Sequence, residues 1–221
     1  MEIEKFLLRR QGIKTMTIFL RFAIGVIALA AFYAPLGFSE GEGVVAEVAR
    51  ALSQLQSVQG DFEQIIREQD GYVLDRQTGA FALQRPRKLS WQVSELDQLL
   101  VSDGEQLYLY DELFEQVIIR DWSSDPTINP AAILLDNINL EEWATVEASG
   151  QGIKLTPLHG SSPILEIELI MAGQFPEMLR LLDTTGQVTE IRFTNLDLDT
   201  ELAADLFTFE IPSGTEVIYE N

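Results

Sequence analysis

The chain has 221 residues, 46% of them hydrophobic, with no cysteine and a formal net charge of −20 at pH 7. The lack of cysteine excludes a disulfide framework and any thiolate-ligated metal site. The strongly acidic charge argues against a protein that binds nucleic acid or an anionic membrane surface, because the phosphates would repel it.

Residues 1–39 have the layout of a secretory signal peptide. Basic residues precede an apolar segment, 22–34, and small residues follow it up to Ser39. We expect cleavage near Ser39, with Met16 as an alternative start, and a single domain over residues 40–221. The alternative is an uncleaved membrane anchor, although the apolar segment is short for a span of about 20 residues.

The first element of the mature chain is predicted to be an amphipathic helix over residues 43–56. Val44, Val48, Leu52 and Leu55 recur at helical spacing and form one apolar stripe. A stripe of this kind must lie on another apolar surface, so we expect the helix to pack against the rest of the domain.

From residue 58 onward, apolar and polar residues alternate, which is typical of strands with one buried face. The Asp103-Gly104 pair between two such runs is a strong hairpin signal. An apolar helix is predicted at 131–135, just after Pro130, and one helical turn at 201–206. The predicted strands are 58–67, 78–84, 88–93, 97–102, 106–110, 114–119, 144–149, 153–157, 164–170, 178–183, 188–197 and 207–210. The pattern predicts a mainly β fold, an antiparallel barrel or half-barrel with helices at its mouth.

Arg85 is the most informative charged residue. By alternation it shares a sheet face with Phe81 and Leu83, where an unpaired guanidinium would be costly. Backbone carbonyls at a helix end would be suitable acceptors. The alternative is that Arg85 lies at a strand end and points to water. Leu89 and Trp91 also share one face, either as ordinary core or as the lining of a cavity.

The residues with catalytic potential are poorly placed for catalysis. His159 is the only histidine, and Ser161 and Ser162 lie in a Gly-Ser-Ser-Pro cluster, which is ordinary turn chemistry. Asp197 and Asp199 would face the same side of a strand, and weak cation binding there remains an alternative. Phosphate-binding loops and the HExxH and GxSxG motifs are absent from the sequence. We expect no catalytic residue, no metal site and no cofactor.

Several short motifs follow one another along the chain in a characteristic order. They are Phe62-Glu63-Gln64, Gln84 to Trp91 (QRPRKLSW), Val101 to Tyr110, Glu115-Gln116-Val117, Asn129-Pro130, Asp183 with Gly186 and Gln187, and Phe207-Thr208-Phe209 with Pro212-Ser213-Gly214. No single motif is specific. Their order and spacing over residues 43–218 resemble the LolA family of periplasmic outer-membrane lipoprotein carrier proteins.

The resemblance implies a fold and a binding site. The fold is an incomplete antiparallel β-barrel, or half-barrel, with an N-terminal helix and a short inserted apolar helix acting as a lid over a hydrophobic cavity. The cavity would hold the acyl chains of lipoproteins, and Arg85 would hold the lid closed. The cavity residues implied are Leu52, Phe62, Phe81, Leu83, Leu89, Trp91, Ile133 and Leu134.

The resemblance also implies a setting and partners. The protein would be a non-enzymatic monomer in the periplasm that receives lipoproteins from an inner-membrane LolCDE-type releasing complex. In some bacteria it would pass them to an outer-membrane LolB-type receptor. The chain itself is not such a receptor, which needs a lipidated cysteine. The remaining alternative is a periplasmic sensor or regulatory half-barrel module that binds lipid or protein.

Overall fold

Twelve strands form one sheet in the computed structural model, which describes residues 40–94, 96–123, 131–136, 139–158 and 162–220. The strands are β1 (Ser57–Arg67), β2 (Val73–Gln84), β3 (Lys88–Val93), β4 (Gln98–Asp103), β5 (Gln106–Asp111), β6 (Gln116–Asp121), β7 (Ala144–Ser149), β8 (Gly152–Pro157), β9 (Ile164–Ala172), β10 (Phe175–Asp183), β11 (Val188–Leu198) and β12 (Glu216–Glu220). Their order is β12-β6-β5-β4-β3-β2-β1-β11-β10-β9-β8-β7, so β12 and β7 are two unjoined edges. The prediction of an incomplete barrel is confirmed.

The sheet curves strongly, as the aromatic rings on its inner face demonstrate. Strands β2 and β10 are separated by β1 and β11, which places them about 14 Å apart in a flat sheet. The ring centroids of Phe81 on β2 and Phe175 on β10 are nevertheless 6.0 Å apart. We call the face that carries these two rings the concave face.

Neighbouring strands are antiparallel except for β12, which pairs with β6 in parallel. The prediction of a strand at 207–210 was wrong. Phe207 instead ends a 3-10 turn, Ala204–Phe207, that packs on β3 and β4. The ring of Phe209 lies against Tyr108 and Tyr110 on the convex face of β5. The alternating aromatic residues therefore anchor a crossing segment to the sheet, and the last strand forms only after it.

Two helices accompany the sheet. Helix α1 (Glu40–Gln54) packs on β7 and β8, and its predicted stripe faces inward, with Val48 and Leu52 buried. Leu55, predicted as part of the helix, lies one residue beyond its end and is also buried. Helix α2 (Ala132–Leu135) is a single apolar turn whose four residues are all buried. A second 3-10 turn, Leu140–Glu142, leads into β7. In the described part of the chain, no helix combines the length and hydropathy required to cross a membrane.

The signal-peptide prediction falls on residues 1–39, which lie outside the described residues, as do Asn129 and Pro130. The proposal of a signal peptide followed by one domain over 40–221 therefore stays a prediction. The described strands of that region all belong to one continuous sheet.

Candidate functional site

The centre of the concave face is a cluster of five aromatic rings. Trp91 stacks on Phe62 with ring centroids 3.8 Å apart and lies 5.8 Å from Phe81. Phe193 lies 5.0 Å from Phe81 and 5.2 Å from Phe175. The cluster joins strands β1, β2 and β3 to β10 and β11, so both halves of the sheet contribute to one apolar surface.

A glycine makes room for the stack at the centre of this cluster. Gly79 pairs with Phe62 across β1 and β2. A Cβ atom built on Gly79 would lie 2.6 Å from Cε1 of Phe62 and would also collide with the backbone oxygen of Gln92. Because real Cβ contacts are longer, the Phe62 ring can lie over β2 only while residue 79 has no side chain.

The structure brings all the predicted cavity residues into one apolar cluster. Leu52 comes from α1, Ile133 and Leu134 come from α2, and the others lie on β1, β2 and β3. All are buried except Trp91, which is half-buried and packs against the cluster. Phe175 and Phe193 were not predicted. Their signal was the alternation in β10 and β11, but only the folded sheet places Phe193 opposite Phe62 and Phe175 against Phe193.

Arg85 lies in the turn between β2 and β3 and contacts the backbone of α2. Its Nε donates a hydrogen bond to the carbonyl oxygen of Leu134 at 2.9 Å. The backbone N–H of Arg87 donates to the carbonyl of Leu135 at 3.4 Å. The terminal carbonyls of a helix lack partners within the helix, so these two donors satisfy groups that would otherwise be unpaired. The expected contact between Arg85 and the apolar helix is present.

The electrostatics of Arg85 reflect its burial. Desolvation lowers the pKa of the Arg85 guanidinium from its ordinary value, and the carboxylate of Asp136 acts in the opposite direction. An arginine keeps its charge in such surroundings. The guanidinium is thus a permanent cation held against a helix end, where the helix dipole favours positive charge.

Asp136, the residue after α2, ties the helix to the sheet. Its Oδ1 accepts a hydrogen bond from Nε of Arg87 at 2.8 Å, and its Oδ2 accepts one from Nε1 of Trp122 at 3.0 Å. Asp136 is 8% exposed, so its carboxylate needs such partners. None of these three residues was predicted as a site residue, because no local pattern links positions so far apart in the sequence.

A cleft of about 270 Å³ lies beside α2. Val45 and Leu52 of α1 line one side, and Ile133 and Val146 contribute further apolar surface. Arg85 and Asp136 line the same cleft, so its walls carry both apolar and charged groups. The cleft separates the two helices at the place where the arginine contacts occur.

The residues considered for catalysis are only partly described. His159 and Ser161 lie outside the described residues. The hydroxyl of Ser162 donates to the carbonyl oxygen of Ile164 at 2.5 Å and accepts from its N–H at 2.8 Å, a local turn arrangement at the start of β9.

The aspartates considered for cation binding lie beside the start of β1. Asp197 accepts from Gln59 at 3.3 Å, and Asp199 accepts from the N–H of Gln56 at 3.1 Å. Among the described residues, no group of three or more carboxylates or imidazoles is arranged to hold a metal ion.

Known proteins similar to this chain carry a consistent description. The family model "Outer membrane lipoprotein carrier protein LolA" matches residues 53–210. A Bordetella avium protein named "Outer-membrane lipoprotein carrier protein" is 31% identical over 209 residues, which cover 92% of this chain and 99% of that protein. A Chromohalobacter salexigens protein with the same name is 33% identical over 192 residues, 84% of this chain and 91% of that protein.

Among solved structures, the chain is similar to a LolA superfamily protein from Nitrosomonas europaea. The TM-score is 0.47 at 12% identity, and the match covers 76% of this chain and 97% of that one. The match to the family model extends over most of the chain, and the relatives align along nearly their whole length. The chain therefore belongs to the outer membrane lipoprotein carrier protein LolA family.

Proposed function

We propose that this protein carries lipoproteins across the periplasm, from the inner membrane to the outer membrane, with their acyl chains held on the concave face beneath α2. The observation that carries the proposal is the hydrogen bond from Arg85 to the carbonyl of Leu134, which holds an apolar helix against an apolar face. The relatives named as lipoprotein carriers support it.

The energetics favour a carrier over free release. Each methylene buried away from water contributes about 0.8 kcal/mol, so several long acyl chains represent tens of kcal/mol. Release into water is therefore negligible. Transfer from one apolar environment to another is nearly neutral, so small differences in affinity set the direction. A carrier must bind its cargo well enough to shield it and weakly enough to hand it over.

The arginine contacts provide such a balance. In the closed, empty state, α2 belongs to the apolar cluster that includes the concave face, and Arg85 donates to Leu134. Acyl chains must displace α2 and so break contacts in which each charged hydrogen bond contributes roughly 1.5–3 kcal/mol. The free energy of these hydrogen bonds makes cargo binding less favourable, and it makes closure of α2 after delivery more favourable. The cleft beside α2 gives the helix a direction in which to move.

The setting follows from the same proposal. Residues 1–39 direct the chain to the periplasm, where it acts as a monomer. An inner-membrane LolCDE-type complex supplies the cargo, and a LolB-type receptor, where present, accepts it. A periplasmic sensor or regulatory module remains the alternative. The chain performs no catalysis in this proposal.

Mass spectrometry of the protein isolated from periplasm tests the function. We expect lipoproteins to copurify with it, and we expect the emptied protein to bind a fluorescent acyl probe that fatty acids displace. A protein that neither copurifies with lipoproteins nor binds the acyl probe would contradict the proposal.

A further inference from the structure

The concave side chains of one half of the sheet form transverse rows with different chemistry. One row crosses β2 to β6 and β12 and is entirely apolar: Phe81, Trp91, Leu100, Leu109, Ile118 and Ile218. The next row lies farther from Arg85, and its side chains change from apolar to polar at β4. It runs from Val93 through Gln98, Asp111 and Gln116 to Glu216. We call these last four residues the polar row.

Two members of the polar row are deeply buried. Gln98 is 4% exposed and Asp111 is 2% exposed. Nε2 of Gln98 donates to Oδ2 of Asp111 at 2.6 Å. Among the described residues, however, none donates a hydrogen bond to Oε1 of Gln98. Buried polar atoms nearly always have a partner, because leaving one unpaired is costly.

A purely structural role explains only part of this arrangement. Oδ1 of Asp111 accepts from the N–H of Phe114 at 3.2 Å, which supports the turn between β5 and β6. The amide of Gln98 in turn partners the other carboxylate oxygen. That pairing uses the amide nitrogen of Gln98 and leaves its Oε1 without a donor among the described residues. The remaining acceptor, on the same face as the apolar row, therefore needs a different explanation.

The polar row leads from the interior to solvent. Next to Asp111, Gln116 is half-buried, and its Nε2 donates to Glu216 at 3.3 Å. Glu216 lies on the edge strand β12 and is exposed. Asp111, Glu216 and Oε1 of Gln98 are hydrogen-bond acceptors, so the row is suited to groups that carry N–H donors.

We propose that the polar row is a subsite for the amide N–H groups at the junction between the acyl chains and the polypeptide of the cargo. This inference rests on the proposed carrier function. The acyl chains lie on the apolar row, an amide N–H donates to Oε1 of Gln98, and the polypeptide leaves along Gln116 and Glu216 at the β12 edge. Cargo thus binds in one orientation.

A pair of ligands that differ in one atom group tests the subsite. N-propyl hexadecanamide has an N–H where propyl hexadecanoate has an ester oxygen. Each ligand displaces a fluorescent acyl probe from the emptied protein, and the two dissociation constants are compared. We expect the wild type to bind the amide about fivefold more tightly, the effect of one hydrogen bond to a buried acceptor. Equal binding of the two ligands by the wild type overturns the subsite and leaves the carrier function intact.

Variants show which residues produce the preference for the amide ligand. Gln98→Met removes the acceptor at nearly constant length, and Asp111→Asn in the same protein replaces the carboxylate oxygen that would lose its donor while keeping an oxygen for the N–H of Phe114. In this double variant the amide preference should disappear, whereas ester affinity should change little. Ser102→Ala is the control, since Ser102 is buried on the same strand and face but lies outside the polar row. It should keep the preference. A preference that persists in the double variant overturns the proposal. Failure of the wild type to bind either ligand contradicts the carrier function and the subsite together.

Discussion

Arg85 and Leu134 lie 49 residues apart in the sequence, yet Nε of Arg85 donates to the carbonyl oxygen of Leu134 at 2.9 Å. This contact fastens the apolar turn α2 to the β2–β3 turn, and the Asp136 carboxylate adds a second attachment through Arg87 at 2.8 Å. A helix of four residues has little stability of its own, so these contacts and its apolar packing determine whether it stays in place.

The concave face should lose acyl binding when it carries a charge. Leu89 is 4% exposed and belongs to the apolar cluster beside Leu83. Leu89→Glu should weaken binding of a fluorescent acyl probe at least about tenfold, because burying a carboxylate against an acyl chain is strongly unfavourable. The lost leucine packing should also lower the free energy of unfolding by about 2–5 kcal/mol.

The matched control is Leu113→Glu, the same substitution at a residue that is 73% exposed in the β5–β6 turn. It should bind the acyl probe like the wild type. If a folded Leu89→Glu protein, checked by circular dichroism, binds the acyl probe with wild-type affinity, then acyl chains do not lie on this face.

Gly79 should not tolerate a side chain. Gly79→Ala places a methyl group 2.6 Å from the Phe62 ring and should displace the Phe62–Trp91 stack. We expect a loss of about 1–3 kcal/mol in urea unfolding, as for an overpacked core, with a changed near-ultraviolet circular dichroism signal. Gly43→Ala in α1 is the control, since no atom lies within 4 Å, and it should stabilise by up to about 1 kcal/mol. Equal stability of the two variants would contradict the packing described.

The edge strand β12 should depend on one ion pair. Nη2 of Arg120 lies 2.7 Å from Oε2 of Glu220, with the two side chains 14% and 32% exposed. Burial lowers the pKa of Arg120, and the charge of Glu220 acts in the opposite direction. Glu220→Gln should weaken β12 pairing by about 0.5–1 kcal/mol, after allowing for solvent screening. Hydrogen exchange of the β12 amides should then be faster, whereas the exposed Glu210→Gln should leave it unchanged. Unchanged exchange in Glu220→Gln would show that the pair does not hold the strand.

Transport should not require the histidine–serine segment. His159→Ala, and Ser161→Ala combined with Ser162→Ala, should deliver lipoprotein cargo at the wild-type rate, because the sequence of this segment is typical of a turn. Cargo delivery to outer-membrane vesicles measures the effect. A folded His159→Ala protein that binds cargo but fails to deliver it would overturn this expectation.

Local sequence patterns predicted most of the fold. Strands β3 and β7 begin and end where alternation placed them, at Lys88–Val93 and Ala144–Ser149. The alternating pattern gave a wrong strand prediction at 207–210. Phe207 and Phe209 alternate there because both anchor a segment that crosses the sheet, and not because they belong to a strand. The parallel strand β12 was missed because its five residues gain their strand partner only from β6, far away in the sequence.

The part of the site around Arg85 was predictable because a charged residue on an apolar face stands out in the sequence. An arginine on an apolar face required acceptors, and that requirement pointed to backbone carbonyls at a helix end, which the structure identifies as those of α2. Phe175 and Phe193 carried no such signal, since they reach Phe81 only through long-range strand pairing. The contact between Trp122 and Asp136 joins two segments whose relative position only the folded chain defines.

Delivery of bound lipoprotein by Arg85→Leu tests the central claim most directly. Wild-type and variant proteins are loaded equally, and transfer to acceptor outer-membrane vesicles is followed over time. Without the hydrogen bond to Leu134, the open state is favoured, so Arg85→Leu should retain its cargo and deliver it far more slowly. Arg85→Lys should be a weak substitute, because lysine lacks the planar fork of donors. If Arg85→Leu delivers its cargo as fast as the wild type, the contact between Arg85 and Leu134 does not control handover, and the proposed latch is wrong.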